Sequence, residues 1–301
     1  MQEILIRAGS FVAIIVLGYI LRQTGFFTEA AFPVLSKIVL KITLPAAIVM
    51  SFSGKELDSS LVTLALVGLG ASALPAALGF LLNRGNRGRQ AMEMVNLGGY
   101  NIGNFTLPFV QSFLGSAGVI ATSLFDVGNA AVCLGGAYSL AVLVKEGKGF
   151  SLKKLLLSLL KSIPFLCYVI MTVLGLLDLR LPSPVLSWVG ILSNANTFLA
   201  MLMIGVGLRL QFDRAQIGRI ARLLAVRYLV AVVLALVFWF LLPYDLNVRR
   251  TLILLVFSPV PASVPAFTGE LKEDVGLASA VNSFSIIISI IIIVSLLIMT
   301  A

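Results

Sequence analysis

Apolar residues along the chain come in long blocks rather than in alternation. Ten such stretches run near 4–22, 33–53, 61–82, 91–113, 117–144, 153–176, 184–208, 219–241, 248–268 and 274–300. A hydrocarbon core about 30 Å thick takes roughly 20 residues of helix to cross, and each stretch is of that order. The pattern predicts an all-α membrane protein of ten transmembrane helices. The connections are short, the longest polar ones being 83–90, 145–154 and 210–218, so no soluble domain is expected between spans. The first stretch does not read as a secretory signal, because its flanks are wrong and no small-residue cleavage site follows it.

Composition agrees. Of 301 residues, 59% are hydrophobic and 12% are charged, and mean hydropathy is +1.06. Soluble domains carry about 25% charged residues, so this chain lacks the charge to cover a soluble surface. That excludes a water-soluble enzyme and a disordered chain. Cys133 and Cys167 both lie in apolar runs and make neither a disulfide framework nor a thiolate metal site. Histidine is absent altogether, which removes histidine triads, zinc sites and proton relays. No metal or other cofactor is expected.

The net charge is +9, which in a membrane protein reports cytoplasmic loops rather than a nucleic-acid partner. One side of the predicted topology carries Arg22, Lys37, Lys41, Arg84, Arg87, Arg89, Lys145, Lys148, Lys153, Lys154, Lys161, Arg209, Arg214, Arg219, Arg222, Arg227 and Lys272. The other side holds only Arg7, Lys55, Arg180, Arg249 and Arg250. The positive-inside rule places the richer side in the cytoplasm. With ten spans, both termini are then outside.

The spans divide into two sets of five. Pro33-Val34-Leu35-Ser36 opens the second stretch and Pro184-Val185-Leu186-Ser187 opens the seventh, an offset of 151. The fourth and ninth stretches are both interrupted near their middles. The fourth contains Gly98-Gly99-Tyr100-Asn101-Ile102-Gly103-Asn104-Phe105-Thr106-Leu107-Pro108, and the ninth contains Ser258-Pro259-Val260-Pro261-Ala262-Ser263-Val264-Pro265. Proline gives no N–H and clashes with the carbonyl four residues earlier. An unpaired backbone group in lipid costs several kcal/mol, so such segments persist only when buried in protein or lining a wet cavity. Five is odd, so a repeated half inserts upside down. Inverted repeats with broken helices at mid-membrane are the architecture of many secondary transporters.

The run from Asn101 to Pro108 resembles the Asn-x-Gly-Asn-x-x-Leu-Pro signature of the auxin efflux carrier family, which includes plant PIN carriers and bacterial malate- and malonate-type permeases. The likeness extends over the whole chain. It implies a fold shared with bile-acid/sodium symporters and sodium/proton antiporters, in which the fourth and ninth helices cross at their prolines. It further implies two five-helix repeats, 1–148 and 149–301. Helices 3–5 and 8–10 then form a transport bundle and helices 1–2 and 6–7 a scaffold, through which a homodimer can form. The family's crossover residues carry over to Asn101, Asn104, Pro108, Pro259 and Pro261. The long cytoplasmic loop of the plant carriers is absent, with only 145–154 in its place. The chain thus resembles the short bacterial type, a multi-pass protein of the inner (plasma) membrane, for which auxin is a poor substrate candidate.

Other polar residues fall at the depth of the breaks. Asp126 is the one carboxylate well inside a stretch, and an aspartate at mid-membrane costs about 2.5–3.5 kcal/mol on insertion scales unless it faces a cavity or a partner. Asn129 lies three positions on, on the same helical face. Asn282 has a comparable depth in the tenth stretch. Asn194 and Asn196 lie in the seventh, where the 151 offset sets them opposite Thr43 and Pro45. Substrate contact is expected from Asn101, Asn104, Pro108, Pro259, Pro261, Ser263, Asn194, Asn196 and Thr43. A coupling Na⁺ or H⁺ is expected at Asp126, Asn129 and Asn282. The alternative for each asparagine is interhelical hydrogen bonding, worth under about 1–2 kcal/mol. Glu93 reads as interfacial, Lys37 and Lys41 as snorkelling, and Trp188, Trp239 and Tyr244 as interface anchors. Gly68-Leu69-Gly70 and Gly205-Val206-Gly207 read as sites of close helix packing. The chain thus reads as a secondary carrier of a small organic anion, with a sodium-coupled symporter of the bile-acid type and an anion channel as the alternatives.

Overall fold

A computed structural model describes residues 2–28, 30–53, 59–83, 85–147, 151–209 and 213–299. Lys55, Arg84 and Lys148 of the charge pattern, and position 300 at the end of the last stretch, lie outside the described residues. Among those described, all regular structure is helical.

The chain begins with α1 (Gln2–Gln23), then α2 (Ala31–Ile38) and α3 (Leu44–Phe52) joined through a π turn at Val39–Thr43. Pro45 has no N–H to offer the carbonyl at position 41, and the turn before it widens accordingly. The third stretch is α4 (Leu64–Leu82). The fourth is split into α5 (Arg87–Leu97) and α6 (Leu107–Phe113). The fifth is α7 (Gly115–Ala131) and α8 (Ala137–Glu146), joined by a π turn at Val132–Gly136. The sixth divides into α9 (Leu152–Lys161) and α10 (Ile163–Leu176). Then come α11 (Ser183–Gly207), α12 (Ile217–Leu241), the split pair α13 (Leu246–Val256) and α14 (Val264–Glu270), and finally α15 (Val275–Met299).

Among the described residues, seven helices are long and apolar enough to cross a membrane, and the bent pair α9–α10, taken together, makes an eighth candidate. The fourth and ninth stretches fall short for a physical reason. Each is cut into halves of 11 and 7 residues, none long enough alone. The sixth departs from the sequence expectation of one continuous helix, because the chain turns by 80° between α9 and α10. Ser162 starts α10 afresh by accepting the Phe165 N–H at 3.4 Å, with Pro164 at the second helical position.

The most extensive pairings are α4 with α7, α1 with α11, and α4 with α5. Small residues set the first two. A methyl built on Gly128 would stand 1.9 Å from the Ala65 carbonyl oxygen, and one on Gly68 2.0 Å from that of Phe125. One on Gly205 would stand 2.0 Å from the Ile15 carbonyl oxygen. The close packing expected at Gly68 and Gly205 is present, and Gly207 abuts the Phe32 ring, whereas Gly70 faces open space. Large apolar side chains point outward all round the molecule, Leu66, Ile191, Leu229 and Phe240 among them. A water-soluble monomer rarely exposes apolar surface on this scale; a bilayer accepts it.

Glu93, near the start of the fourth stretch, does not face solvent. It is buried and pairs with Arg222, while Lys145 donates to Glu273 and, at 2.5 Å, to the Leu271 carbonyl. Arg219 completes this cluster with Asp274 at 3.6 Å. The pairs join α5, α8 and α12 to the turn before α15.

Candidate functional site at the meeting of two broken helices

The two breaks touch. Past Leu97 the chain leaves the helix through Gly98 and Gly99, and Gly99 takes φ +73°, a left-handed value natural to glycine. A π turn at Ile102–Thr106 then leads into α6. In the ninth stretch α13 ends at Val256, and 257–263 run without regular helix to α14. The Asn101 N–H donates to the Pro259 carbonyl at 2.9 Å. The Thr106 and Ser258 hydroxyls share a hydrogen bond of 2.5 Å.

Backbone groups freed by the breaks are satisfied by side chains from neighbouring helices. In α7, the Asn129 amide accepts the Tyr100 N–H and donates to the Tyr100 carbonyl, both at 2.9 Å. Ser72 of α4 donates to the same Asn129 oxygen at 2.8 Å. In α15, Asn282 donates to the Val260 carbonyl at 2.8 Å and the Pro261 carbonyl at 3.3 Å, and Ser285 accepts the Val260 N–H at 3.0 Å. One asparagine from each following helix therefore grips each break.

Arg227 of α12 binds both breaks at once. Its guanidinium donates to the carbonyls of Leu97, Gly99, Ser258 and Pro259 at 2.9–3.1 Å and lies 4.9 Å from the Tyr100 ring centroid. It is 2% exposed. These carbonyls cluster where α5 and α13 end, which are the negative ends of two helix dipoles. A planar fork of five N–H donors with permanent charge suits them as an ammonium cannot.

Beside the crossing lies a cavity of about 350 Å³. Asn101, Gly103 and Asn104 of the first break line it, with Pro261, Ala262 and Ser263 of the second. Asp126 and Cys133 enter from the fifth stretch and Tyr168 from α10. The Asp126 carboxylate accepts from Asn129 Nδ2 at 2.7 Å and from the Tyr168 hydroxyl at 2.9 Å. Asn104 Oδ1 is buried with no hydrogen-bond partner among the described residues. The cavity thus offers amide donors, one carboxylate and one amide oxygen still seeking a donor or a cation. No group of three or more histidine, cysteine or acidic side chains that could hold a metal ion occurs among the described residues.

A sequence-family model described as membrane transport protein matches residues 10–299. The chain belongs to this family, the auxin efflux carriers. No individual curated protein matches it. Membership makes it a membrane transporter.

Of the residues expected from sequence, Asn101, Asn104, Pro261, Ser263 and Asp126 line the cavity of this family member. Pro108 is buried behind the π turn, and Pro259 meets the cavity's partners only through its carbonyl. Asn129 and Asn282 hold backbone, as described. Asn282 also lines a second cavity of about 350 Å³ with Ser279, Arg22 and Arg209, separated from the first by Phe32 and Ala262, which line both. Thr43 donates to Asn196 at 3.0 Å, and Asn196 donates to Gln111 at 3.3 Å, away from the cavity wall. The 151 offset pairs Thr43 with Asn194 instead. Asn194 lies on the exposed face of α11. Sequence reading passed over Tyr168 and Ser258, and placed Arg227 among the cytoplasmic loop charges. The signal for Arg227 was its depth: it stands ten residues into α12, about 15 Å along the axis.

Proposed function

We propose that this membrane transporter is a secondary carrier that moves a small organic anion, a carboxylate, by alternating access, with the substrate held at the cavity beside the crossing. The observation that carries the reading is the joining of two broken helices at a cavity lined by Asn101, Asn104 and Asp126. An aqueous pore needs no such paired interruption, whereas carriers place their sites at broken helices between repeats. No nucleotide-binding loop is seen in the sequence, so an ion gradient is the expected source of energy.

Ten spans in two inverted halves fit this reading. Thr43 and Asn196, which bond each other, are 153 positions apart, and so are the gripping residues Asn129 and Asn282. Thr106 and Ser258 bond across 152. These separations lie within two residues of the 151 offset between the repeated tetrapeptides, as two related halves would give. The pairing of α4 with α5 and α7, and of α1 with α11, supports a transport bundle separate from a scaffold. Asn194, exposed among Ile191 and Phe198, is a polar group that a second copy docked on the scaffold would cover. Orientation with basic loops in the cytoplasm of a bacterial cell predicts that a membrane-impermeant maleimide labels Arg180→Cys in whole cells and labels Arg87→Cys only after permeabilisation. The reverse pattern would overturn the orientation.

A second reading, sodium coupling, draws on the unpartnered Asn104 oxygen and the Asp126 carboxylate on one cavity wall, since both are hard oxygen ligands. Uptake into proteoliposomes under imposed Na⁺, pH and voltage gradients decides between ions. Flux far above carrier rates, without counterflow, would indicate a channel. A thermal-shift screen over small mono- and dicarboxylates identifies the substrate, because a specific ligand raises apparent stability. Asn101→Ala and Asn104→Ala are each expected to weaken carboxylate binding roughly 10- to 150-fold, as loss of one hydrogen bond to a charged group costs about 1.5–3 kcal/mol. Unchanged affinity in both variants would leave these amides with packing alone.

A further inference from the structure

The segment α9 is absorbed neither by the crossing nor by the helix pairs around it. It is joined to α10 through an 80° turn. The 14 residues of α10, about 21 Å, run through the apolar layer, and α9, at 80° to them, therefore runs close to the membrane plane at its edge. Its ten residues, Leu-Lys-Lys-Leu-Leu-Leu-Ser-Leu-Leu-Lys, sort into three faces at 100° per residue. Leu155, Ser158 and Leu159 face the protein, where Ser158 donates to the Leu134 carbonyl at 2.7 Å in the π turn of the fifth stretch. Leu152, Leu156 and Leu160, at positions i, i+4 and i+8, are 50–59% exposed along the adjoining face. Lys153, Lys154 and Lys161 are exposed on the rest, with Leu157, 45% exposed, among them. No acidic residue occurs within α9.

We propose that α9 is a membrane-surface helix that lies in the headgroup layer, with its leucine row in the acyl boundary and its three lysines on anionic phospholipid. A straight transmembrane continuation would leave Lys153 and Lys154 at its end but bring Lys161 into the hydrocarbon. Lying flat, the helix gives the Leu152, Leu156 and Leu160 row an apolar medium and the three lysines a polar one. An amphipathic helix of this kind binds by apolar burial together with attraction to anionic lipid. The lysines belong to the set whose excess marks the cytoplasmic side, and anionic lipid there attracts basic segments. The inference rests on the transporter reading only in that the chain is in a membrane, and its test needs no transport.

The test is tryptophan quenching in the full chain reconstituted into vesicles. Leu156→Trp is made with Trp188→Phe and Trp239→Phe, so that one indole reports. Lipids brominated near the headgroup are expected to quench it more than lipids brominated near the chain ends. In the same background, the indole of Lys154→Trp is expected to be quenched weakly by both. At equal mole fraction, brominated phosphatidylglycerol is expected to quench the Leu156→Trp reporter at least about two-fold more than brominated phosphatidylcholine, a mark of local enrichment. Lys153→Gln, Lys154→Gln and Lys161→Gln together should abolish that preference. Stronger quenching by the deep bromines would show α9 crossing the core, and equal quenching by the two headgroups, or a preference that survives the glutamines, would show that the lysines bind no anionic lipid. Either result overturns the proposal.

Discussion

Arg227→Met is expected to destabilise the protein more than any other single change at the crossing. The guanidinium serves four buried carbonyls from the two breaks, of which that of Pro259 also keeps the Asn101 N–H. Each carbonyl left without a donor in the interior costs about 1–3 kcal/mol. The losses are not additive, because neighbours that share one partner relax together. A net loss of about 3–6 kcal/mol remains after that discount. Methionine fills much of the volume, so the effect is electrostatic rather than a cavity. Arg227→Lys separates charge from geometry. It keeps a cation at the negative ends of α5 and α13 but offers a point in place of a fork. Its midpoint in thermal unfolding, read by fluorescence-detected size exclusion, should fall between those of wild type and the methionine variant. A methionine variant that unfolds within about a degree of wild type would mean that the two breaks hold each other without the guanidinium, since even 1 kcal/mol moves the midpoint of a large domain by about 2–4 °C.

Arg227 also shows where sequence reasoning stops. Its neighbours Leu224, Ala225 and Val226 are apolar, so it reads equally as the inner end of a basic loop or as a charge within a span. Only the partners decide, and they lie 31 to 130 positions away. The breaks themselves were legible, because proline and glycine act on their own backbone and need no partner to interrupt a helix. That Asp126 and Asn129 lie buried side by side was legible from their depth and spacing. Tyr168 was not, for a tyrosine in an apolar run carries no mark of the carboxylate its hydroxyl will meet. The bend at Ser162 could have been read. Serine three residues before Phe165, with Pro164 between them, is a helix-start signal inside an apolar stretch that averaged hydropathy passes over. The burial of Glu93 was not legible for the same reason as that of Arg227, since its partner Arg222 comes from a distant helix.

Asp126→Asn tests what the buried carboxylate does. The substitution preserves size and leaves one oxygen to accept from Asn129, while the new amide nitrogen can donate to the Tyr168 oxygen. The hydrogen-bonded frame around the cavity therefore survives, and the thermal midpoint should stay within a few degrees of wild type. What is lost is the ability to carry or release a proton, or to balance a cation, as the carrier changes its facing. If Asp126 couples transport to an ion gradient, gradient-driven accumulation should fall at least about ten-fold, the scale of 1.4 kcal/mol. One-for-one substrate exchange should persist, because exchange moves no net coupling ion. Tyr168→Phe supplies the complementary case. It keeps the carboxylate and removes one of its two donors, so coupling should survive while any pH or Na⁺ dependence shifts. If Asp126 only braces Asn129 and the first break, asparagine should serve nearly as well and both activities should remain. If it instead anchors the cavity wall to α10, both activities should fall together with thermal stability, and Tyr168→Phe should reproduce the defect. Accumulation that persists in Asp126→Asn with an unchanged dependence on pH and Na⁺ would remove this residue from the coupling machinery.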